Sequence, residues 1–382
     1  MYVFKFLISL HFFGGVLIPF FMEWGRINFF QIMVLQAVFY LSVFFLEIPT
    51  GAVADYLGRK ISIVFAALSV VLAVLIYSYT PAFSLFIIAE ILWAAGVALI
   101  SGADQALVYD SLKKIGKEHT SKRIFGRFVG FEFAGYMVAA PIGSIIAVTL
   151  GLRYAMMFAA LPFFIAFIFA FSFKEPVTQR KIESKRYAMI LLNGVKHLKG
   201  HRILQILAFD EISVSILSFL IIWMYQPLLR SLAFPLLYFG FVHAAMAGLQ
   251  IIVSSNFEFF ERILGSKKRY VFVSALIPAF SFMFLGFVDN IFLVIGFILL
   301  VPAFGLTRFI LMQNYMHKHI ESHHRATVIS AISMLKRFVQ GTICLFIGLS
   351  VLWSLRYTFV IIGVLMLVLA VFSKVEEEHL ID

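Results

Sequence analysis

The chain has 382 residues, of which 62% are hydrophobic and only 13% are charged, with a mean hydropathy of +0.99. Soluble proteins carry roughly 25% charged residues, so this composition excludes an ordinary soluble fold. The net charge of +11 would suit a nucleic-acid-binding protein, and the placement of the bases along the chain decides that question. The single cysteine, Cys344, cannot form a disulfide within the chain.

Long apolar runs occupy most of the sequence. About 20 apolar residues cross a bilayer as a helix, and these runs are continuous, unlike the alternating strands of a membrane barrel. We therefore predict an all-α membrane protein with twelve transmembrane helices, called spans 1 to 12. In approximate bounds the spans are residues 3–21, 29–52, 61–80, 82–110, 125–149, 153–173, 203–229, 233–256, 270–288, 290–316, 326–350 and 355–373.

The basic residues are distributed unevenly between the two sides of the membrane. With both termini in the cytoplasm, 23 of the 31 Lys and Arg residues lie on the cytoplasmic side and four on the outer side. This asymmetry is the positive-inside rule, so the bases orient the chain in the membrane. We predict an integral protein of the plasma (inner) membrane with cytoplasmic termini, and no nucleic-acid partner.

Spans 2 and 3 are joined by Gly51-Ala-Val-Ala-Asp55-Tyr-Leu-Gly58-Arg59-Lys60. This sequence predicts a short charged turn, in which glycine permits tight turning and the charges lie at the water boundary. The spacing of the glycines, the acid and the two bases resembles the loop motif of the major facilitator superfamily of secondary transporters.

The chain also repeats itself at a nearly constant offset. Leu152-Arg153-Tyr154 at the start of span 6 returns as Leu355-Arg356-Tyr357 at the start of span 12, 203 residues later. Arg123 before span 5 similarly finds Arg325 before span 11, 202 residues later. The resemblance implies two pseudo-symmetric bundles of six helices arranged as a parallel repeat.

These repeats predict the domain boundaries. The N-terminal bundle covers 1–174 and the C-terminal bundle covers 203–382. Between them, 175–202 is a polar cytoplasmic linker whose basic amphipathic pattern predicts a helix that lies flat on the membrane face.

The resemblance further implies a cytoplasmic gate. Arg325 marks the N-terminus of span 11, where unpaired backbone N–H groups carry partial positive charge. We expect Asp55 to dock there when the transporter is open to the outside. The residues predicted to form the gate are Gly51, Asp55, Gly58, Arg59, Lys60 and Arg325.

Charged side chains within the spans are the candidate pathway residues. Each would cost about 2.5–3.5 kcal/mol if it faced lipid, so they are expected to face each other or water. Asp104 and Glu132 lie on neighbouring helices. They are interpreted as a proton-carrying pair, or as permanent ion-pair partners of Arg127 or of a base in spans 7 to 12. The predicted pathway residues are Asp104, Glu132, Arg308, Lys336 and Arg337.

Two explanations for the second-half bases stay open. They pair with acids across the cavity, which leaves room for an amphiphilic substrate, or they are partly unpaired and bind an anion. Asp210 and Glu211 in span 7 are either functional or simply salt-bridged. The glycine-rich span 5 resembles that of drug–proton antiporters, whereas Glu90 stands near the place of their fourth-span arginine.

The sequence therefore predicts proton-coupled export of a small amphiphilic compound by alternating access. Uptake or exchange of a small anionic metabolite is the alternative, and a receptor or lipid scramblase is a further one. Metal-binding pairs, phosphate-binding loops and nucleophile elbows are absent from the sequence, so no enzyme, cofactor or bound metal is predicted. The expected partners are the substrate, protons and membrane lipids, and the expected state is a monomer.

Overall fold

The computed structural model describes residues 1–176, 194, 196–321 and 325–381, without the side chains of 122 and 326. These residues are almost entirely helical, and no β-strand occurs among them. The amphipathic helix predicted within 175–202 falls largely outside the described residues.

The first six spans are clearly delimited. Spans 2, 3, 5 and 6 are Phe29–Tyr56, Arg59–Tyr79, Ser121–Thr149 and Leu152–Ala170. Span 4 consists of two helices, Phe83–Ile100 and Ala103–Lys114. Span 1 is divided into Tyr2–Ile8, Gly14–Val16, Leu17–Pro19 and Phe20–Trp24.

The second six spans follow the same plan. Span 7 comprises Arg202–Phe219 and Ile221–Ser231, and span 10 comprises Ile291–Gly305 and Arg308–Lys318. Spans 8, 9, 11 and 12 are Phe239–Ser254, Lys267–Leu285, Arg325–Trp353 and Leu355–Val371. A short helix, Phe257–Leu264, connects spans 8 and 9. Within the described residues, ten helical runs are long and apolar enough to cross a membrane, and spans 1 and 12 contain shorter apolar helices.

Two local predictions need correction. Span 1 was expected to be continuous, but its helix is interrupted after Ile8 and resumes at Gly14. The sequence predicts that the link between spans 2 and 3 begins at Gly51, but the helix of span 2 continues through Asp55 to Tyr56. The turn is therefore very short, and Gly58 makes it with a φ of 108°, a conformation that residues with a Cβ rarely adopt.

The irregular segment of span 1 packs closely against small residues of span 5. A Cβ at Gly143 of span 5 would overlap the carbonyl oxygen of Phe12, and a Cβ at Gly135 would lie 2.8 Å from the Cβ of Ser9. The irregular segment after Ile8 thus lies directly against the backbone of span 5. Glycine at these positions permits the close approach, as it does in other membrane helix pairs.

The same capping device opens the third span of each half. The carboxylate of Glu175 accepts hydrogen bonds from the backbone N–H groups of Arg59 (2.9 Å) and Lys60 (3.2 Å). The carboxylate of Glu377 accepts from those of Lys267 (3.0 Å) and Lys268 (2.8 Å). Each acid follows the last span of its half, and each satisfies two N–H groups that the helix itself leaves unpaired.

Contacts between Cα atoms divide the chain into two compact units. The first contains Met1–Ala188, Leu236–Ala244 and Gly341–Leu345, and the second contains Met189–Pro235, Ala245–Gln340 and Phe346–Asp382. Within the first unit, span 3 packs against spans 4 and 6, and span 1 against span 6. Within the second, span 9 packs against spans 10 and 12, and span 7 against span 12. The same neighbours therefore recur six spans later.

Many large apolar side chains point away from the helix contacts. Phe292 and Leu161, for example, expose 81% and 66% of their surface. Such extensive apolar exposure would be unfavourable in water and is expected for helices that face lipid.

Candidate functional site

A lysine shared by two carboxylates is the main charged group within the first unit. The Nζ atom of Lys5 lies 3.2 Å from Oδ2 of Asp104 and 3.3 Å from Oε2 of Glu132. The three side chains come from spans 1, 4 and 5, and those of Lys5 and Asp104 are only 15% and 6% exposed. With all three ionised, this triad carries one excess negative charge.

The local structure holds the triad in place. Asp104 follows Gly102, whose φ of 74° marks the break in span 4, and lies in the first turn of the helix Ala103–Lys114. A carboxylate there is favoured by the helix dipole. The Tyr136 hydroxyl, one turn along span 5, donates a hydrogen bond to Glu132 at 3.3 Å. The ammonium of Lys5 also lies 5.0 Å from the centre of the Phe128 ring.

Two separate ion pairs join span 7 to spans 10 and 11 in the second unit. The guanidinium of Arg308 binds the carboxylate of Asp210, and Nζ of Lys336 lies 2.6 Å from Oε1 of Glu211. Arg308 is 1% exposed and also donates to the Ser274 hydroxyl at 2.5 Å. These two acids and two bases balance, so the group is neutral when all four are ionised.

The two groups occupy equivalent positions of the repeat, with their charges exchanged. In each unit the first span of the half pairs with its fourth and fifth spans. The base on span 1 corresponds to an acid on span 7, and the acids on spans 4 and 5 correspond to bases on spans 10 and 11. The equivalent positions are Lys5 and Asp210, Asp104 and Arg308, and Glu132 and Lys336, which are 205, 204 and 204 residues apart.

The predicted pathway residues are thus brought together in ways the sequence left open. Asp104 and Glu132 lie around a common base, and that base is Lys5 and not Arg127, which is exposed on span 5. Arg308 and Lys336 are paired within their own unit. Arg337 is half-buried and follows Lys336 along span 11.

Lys5 is not among the pathway residues that the sequence predicts, because its position near the N-terminus places it with the cytoplasmic bases. The repeat offset is the signal that could have found it. Once Asp104 and Glu132 are aligned with Arg308 and Lys336, the same offset aligns Lys5 with Asp210. The sign exchange hides this correspondence from a search for identical residues.

The residues of the predicted gate motif have several different partners. The Arg59 guanidinium pairs with the carboxylate of Asp110 near the end of span 4, a partner that the sequence did not indicate. Asp55 is half-buried in the last turn of span 2. The Arg325 side chain donates a hydrogen bond to the backbone carbonyl of His317 at 3.1 Å. The docking of Asp55 near Arg325 stays a prediction.

Apolar spans in a six-helix repeat, with buried charges paired within each half, are typical of membrane transporters. The chain matches the Major Facilitator Superfamily over residues 4–343 and therefore belongs to that superfamily. The family indicates an integral membrane protein and a secondary transporter, not an enzyme. No curated protein matches the chain.

Solved structures confirm the fold. A mutant of the nucleoside transporter NupG aligns with a TM-score of 0.82 at 13% identity, over 97% of each chain. A D-xylose-proton symporter aligns with a TM-score of 0.74 at 14% identity, over 98% of this chain and 97% of that chain. A POT family transporter in complex with a thioalcohol-conjugated peptide aligns with a TM-score of 0.76 at 11% identity, over 97% and 93%. The predicted all-α, twelve-helix architecture is thereby confirmed.

Proposed function

We propose that this protein is a proton-coupled transporter of a small organic solute, and that the triad of Lys5, Asp104 and Glu132 carries the proton. The observation that supports the proposal is the sharing of one ammonium by two carboxylates at 3.2 and 3.3 Å. Unbalanced charge is costly in a protein interior within a membrane. Binding one proton removes the excess negative charge of the triad.

Protonation would change the connections between three spans. When one carboxyl is neutral, Lys5 forms a complete pair with the other. When the proton leaves, Lys5 is shared between Asp104 on span 4 and Glu132 on span 5. A bound proton shifts a conformational equilibrium only if it interacts differently with the two conformations. The change in how Lys5 is paired provides that difference.

The second unit supports an organic substrate over an inorganic or small organic anion. Arg308 and Lys336 are each paired with a carboxylate, so an anion would have to displace Asp210 or Glu211 from its base. We therefore retain a small amphiphilic compound as the proposed substrate and an anionic metabolite as the alternative. Similarity to a nucleoside transporter and to a D-xylose-proton symporter supports a small organic solute and proton coupling.

The proposed direction is export, by exchange with protons. It rests on the resemblance of the glycine-rich span 5 to the fifth span of drug–proton antiporters. Gly135 and Gly143 of that span pack closely against span 1. We further propose that 1–174 and 203–382 are the two halves that alternate, with the gate motif at the cytoplasmic side.

A flux assay tests the proposal. A thermal-shift screen of the purified protein against metabolites and drugs first supplies a probe substrate, because a ligand of the folded state raises its melting temperature. Proteoliposomes with an imposed pH gradient then measure transport by the wild type, Asp104→Asn and Glu132→Gln. We expect both variants to bind the probe and to lose gradient-driven flux. Gradient-driven flux that persists in both variants would overturn the role of the triad.

Asp289→Asn is the matched control for that assay. Asp289 pairs with Arg356, and its side chain is 73% exposed. Its replacement therefore makes the same Asp-to-Asn change at a site outside the proposed pathway. It is expected to retain wild-type flux. Equal loss of flux in the control and in Asp104→Asn would also count against the triad.

A further inference from the structure

A second buried carboxyl lies outside the triad, in the first helix of span 4. Glu90 is 5% exposed, and its Oε1 accepts a hydrogen bond from Nε2 of Gln36 on span 2 at 3.1 Å. The phenol of Tyr77 on span 3 is a further polar neighbour of the carboxyl. Glu90 therefore joins three spans.

The neighbours of Glu90 carry no positive charge. Within the described residues, no Lys, Arg or His forms an ion pair with it, and its polar partners are one amide and one phenol. The ring of Tyr77 packs against the apolar rings of Phe21 and Phe86.

The charged groups at this end of the bundle lie on spans 1 and 6. Arg153 of span 6 donates a hydrogen bond to the backbone carbonyl of Ser78, beside Tyr77, and Glu23 lies on the span 1 helix Phe20–Trp24, whose rings pack on Phe86. On span 2 the nearest ionisable acid is Glu47, eleven residues beyond Gln36, which is about 17 Å along a helix. On span 3 the nearest bases are Arg59 and Lys60, at the opposite end of the helix from Tyr77. An ionised carboxylate here would be buried without compensation, which is among the costly arrangements in proteins.

We propose that Glu90 is a proton-binding site, separate from the triad, and that it is a neutral carboxylic acid in this conformation. As an acid it accepts the Gln36 hydrogen bond through its carbonyl oxygen and forms a second hydrogen bond with Tyr77 through its hydroxyl. Glu90 lies in the first helix of span 4, and Asp104 lies 14 residues further on, in the second helix. The chain thus has two proton sites at different depths.

A proton fits this site better than a sodium ion. A metal cation requires several oxygen ligands, whereas Gln36 directs its Nε2 donor at the carboxyl. Loss of the proton would leave a buried charge between spans 2, 3 and 4. Release of the proton from Glu90 therefore requires this part of span 4 to open to water. This requirement is the same for any transported substrate.

Infrared difference spectroscopy of the purified protein, recorded while pH is raised, tests the proposal. We expect the carbonyl band of a protonated carboxylic acid in the wild type, and its loss in Glu90→Gln. Asp104→Asn is the matched control and is expected to retain the Glu90 band. A spectrum that is the same in the wild type and Glu90→Gln would overturn the proposal.

Two further measurements keep the test decisive. Glu90→Gln preserves the size and the hydrogen bonding of the neutral acid, so its melting temperature is expected to stay within a few degrees of the wild type. If that variant does not fold, Tyr77→Phe serves instead, because loss of one hydrogen bond shifts the carbonyl band. A melting temperature that rises with sodium chloride but not with choline chloride, in the wild type alone, would identify a cation site and overturn the proton assignment.

Discussion

Lys5 and Asp104 form an ion pair of 3.2 Å between spans 1 and 4, and Arg308 and Asp210 form the corresponding pair between spans 10 and 7 with the signs exchanged. The attraction between two charges is unchanged when the charges are interchanged. The two halves can therefore keep the same ion pair between equivalent helices even though the acid and the base have exchanged positions. The triad of the first unit has one carboxylate more than it has bases, whereas the two pairs on span 7 have equal numbers of acids and bases.

Removing the base from the triad is predicted to abolish pH dependence. In Lys5→Gln, Asp104 and Glu132 lose their common cation, so the excess charge rises and a proton is retained throughout the cycle. We expect substrate flux that no longer responds to a pH gradient, measured in proteoliposomes. Lys5→Arg is expected to retain coupling, because it keeps the charge. Lys113→Gln, on the exposed end of span 4, is the control; pH-driven flux in Lys5→Gln equal to that of the control contradicts the prediction.

Breaking the buried pair of the second unit is predicted to destabilise the protein strongly. Asp210→Ala leaves the guanidinium of Arg308, which is 1% exposed, without its carboxylate. Loss of one partner of a buried pair costs about 3–5 kcal/mol, whereas an exposed pair contributes about 0–1 kcal/mol. We expect a clear fall in melting temperature for Asp210→Ala and almost none for Asp289→Ala. Asp210→Ala combined with Arg308→Met should recover most of the loss, and a double variant as unstable as the single one would refute this account.

Two glycines of the same helix are predicted to respond in opposite ways to alanine. In Gly143→Ala the new methyl group would overlap the carbonyl oxygen of Phe12, so the backbone of span 1 must move. In Gly126→Ala the methyl group meets no atom within 4 Å, and replacing a helical glycine gains roughly 0.5–1 kcal/mol. Thermal unfolding in detergent should show a lower melting temperature for Gly143→Ala and an equal or higher one for Gly126→Ala. The reverse order would show that span 5 does not pack against span 1 in this way.

The duplicated caps are predicted to be equivalent in energy. Glu175→Ala and Glu377→Ala each remove two hydrogen bonds from the first N–H groups of a helix. Loss of an N-terminal cap costs about 1 kcal/mol, and we expect that decrease in the free energy of unfolding for each variant. Glu378→Ala, beside the second cap and 84% exposed, is the control. The prediction fails if the control loses as much stability as Glu377→Ala.

The gate prediction is tested through Asp55. If its carboxylate docks at the N-terminus of span 11 near Arg325, Asp55→Asn weakens the outward-open state and favours the inward-open one. The measurement is the labelling rate of single cysteines placed on the cytoplasmic side of the pathway, which we expect to increase. Unchanged labelling together with unchanged transport would show that Asp55 is not a gate residue. Asp110→Asn, which removes the partner of Arg59, separates this effect from loosening of the span 2–3 turn.

The sequence was sufficient for those features that depend on the membrane or on local spacing. Spans of about 20 apolar residues, the bias of basic residues and the motif from Gly51 to Lys60 each reflect a local requirement: burial in lipid, orientation in the membrane and a tight turn. The two corrections concern the break after Ile8 and the position of the turn at Gly58. The first involves the close approach of the span 5 backbone, and the second depends on which residue takes a positive φ. Neither property can be read from composition.

Only the tertiary structure decided which charges meet. From the sequence, Lys5 was a cytoplasmic base, and Asp104 and Glu132 had Arg127 or a second-half base as possible partners; the structure pairs them with Lys5. Partners about 100 residues apart or more, such as Asp210 and Arg308, are brought together by helix packing, which no local pattern records. The sequence therefore determined that the buried charges had to be compensated, because lipid cannot solvate them. Helix packing within each half determined which residues compensate one another, and it left one carboxylate of the triad in excess.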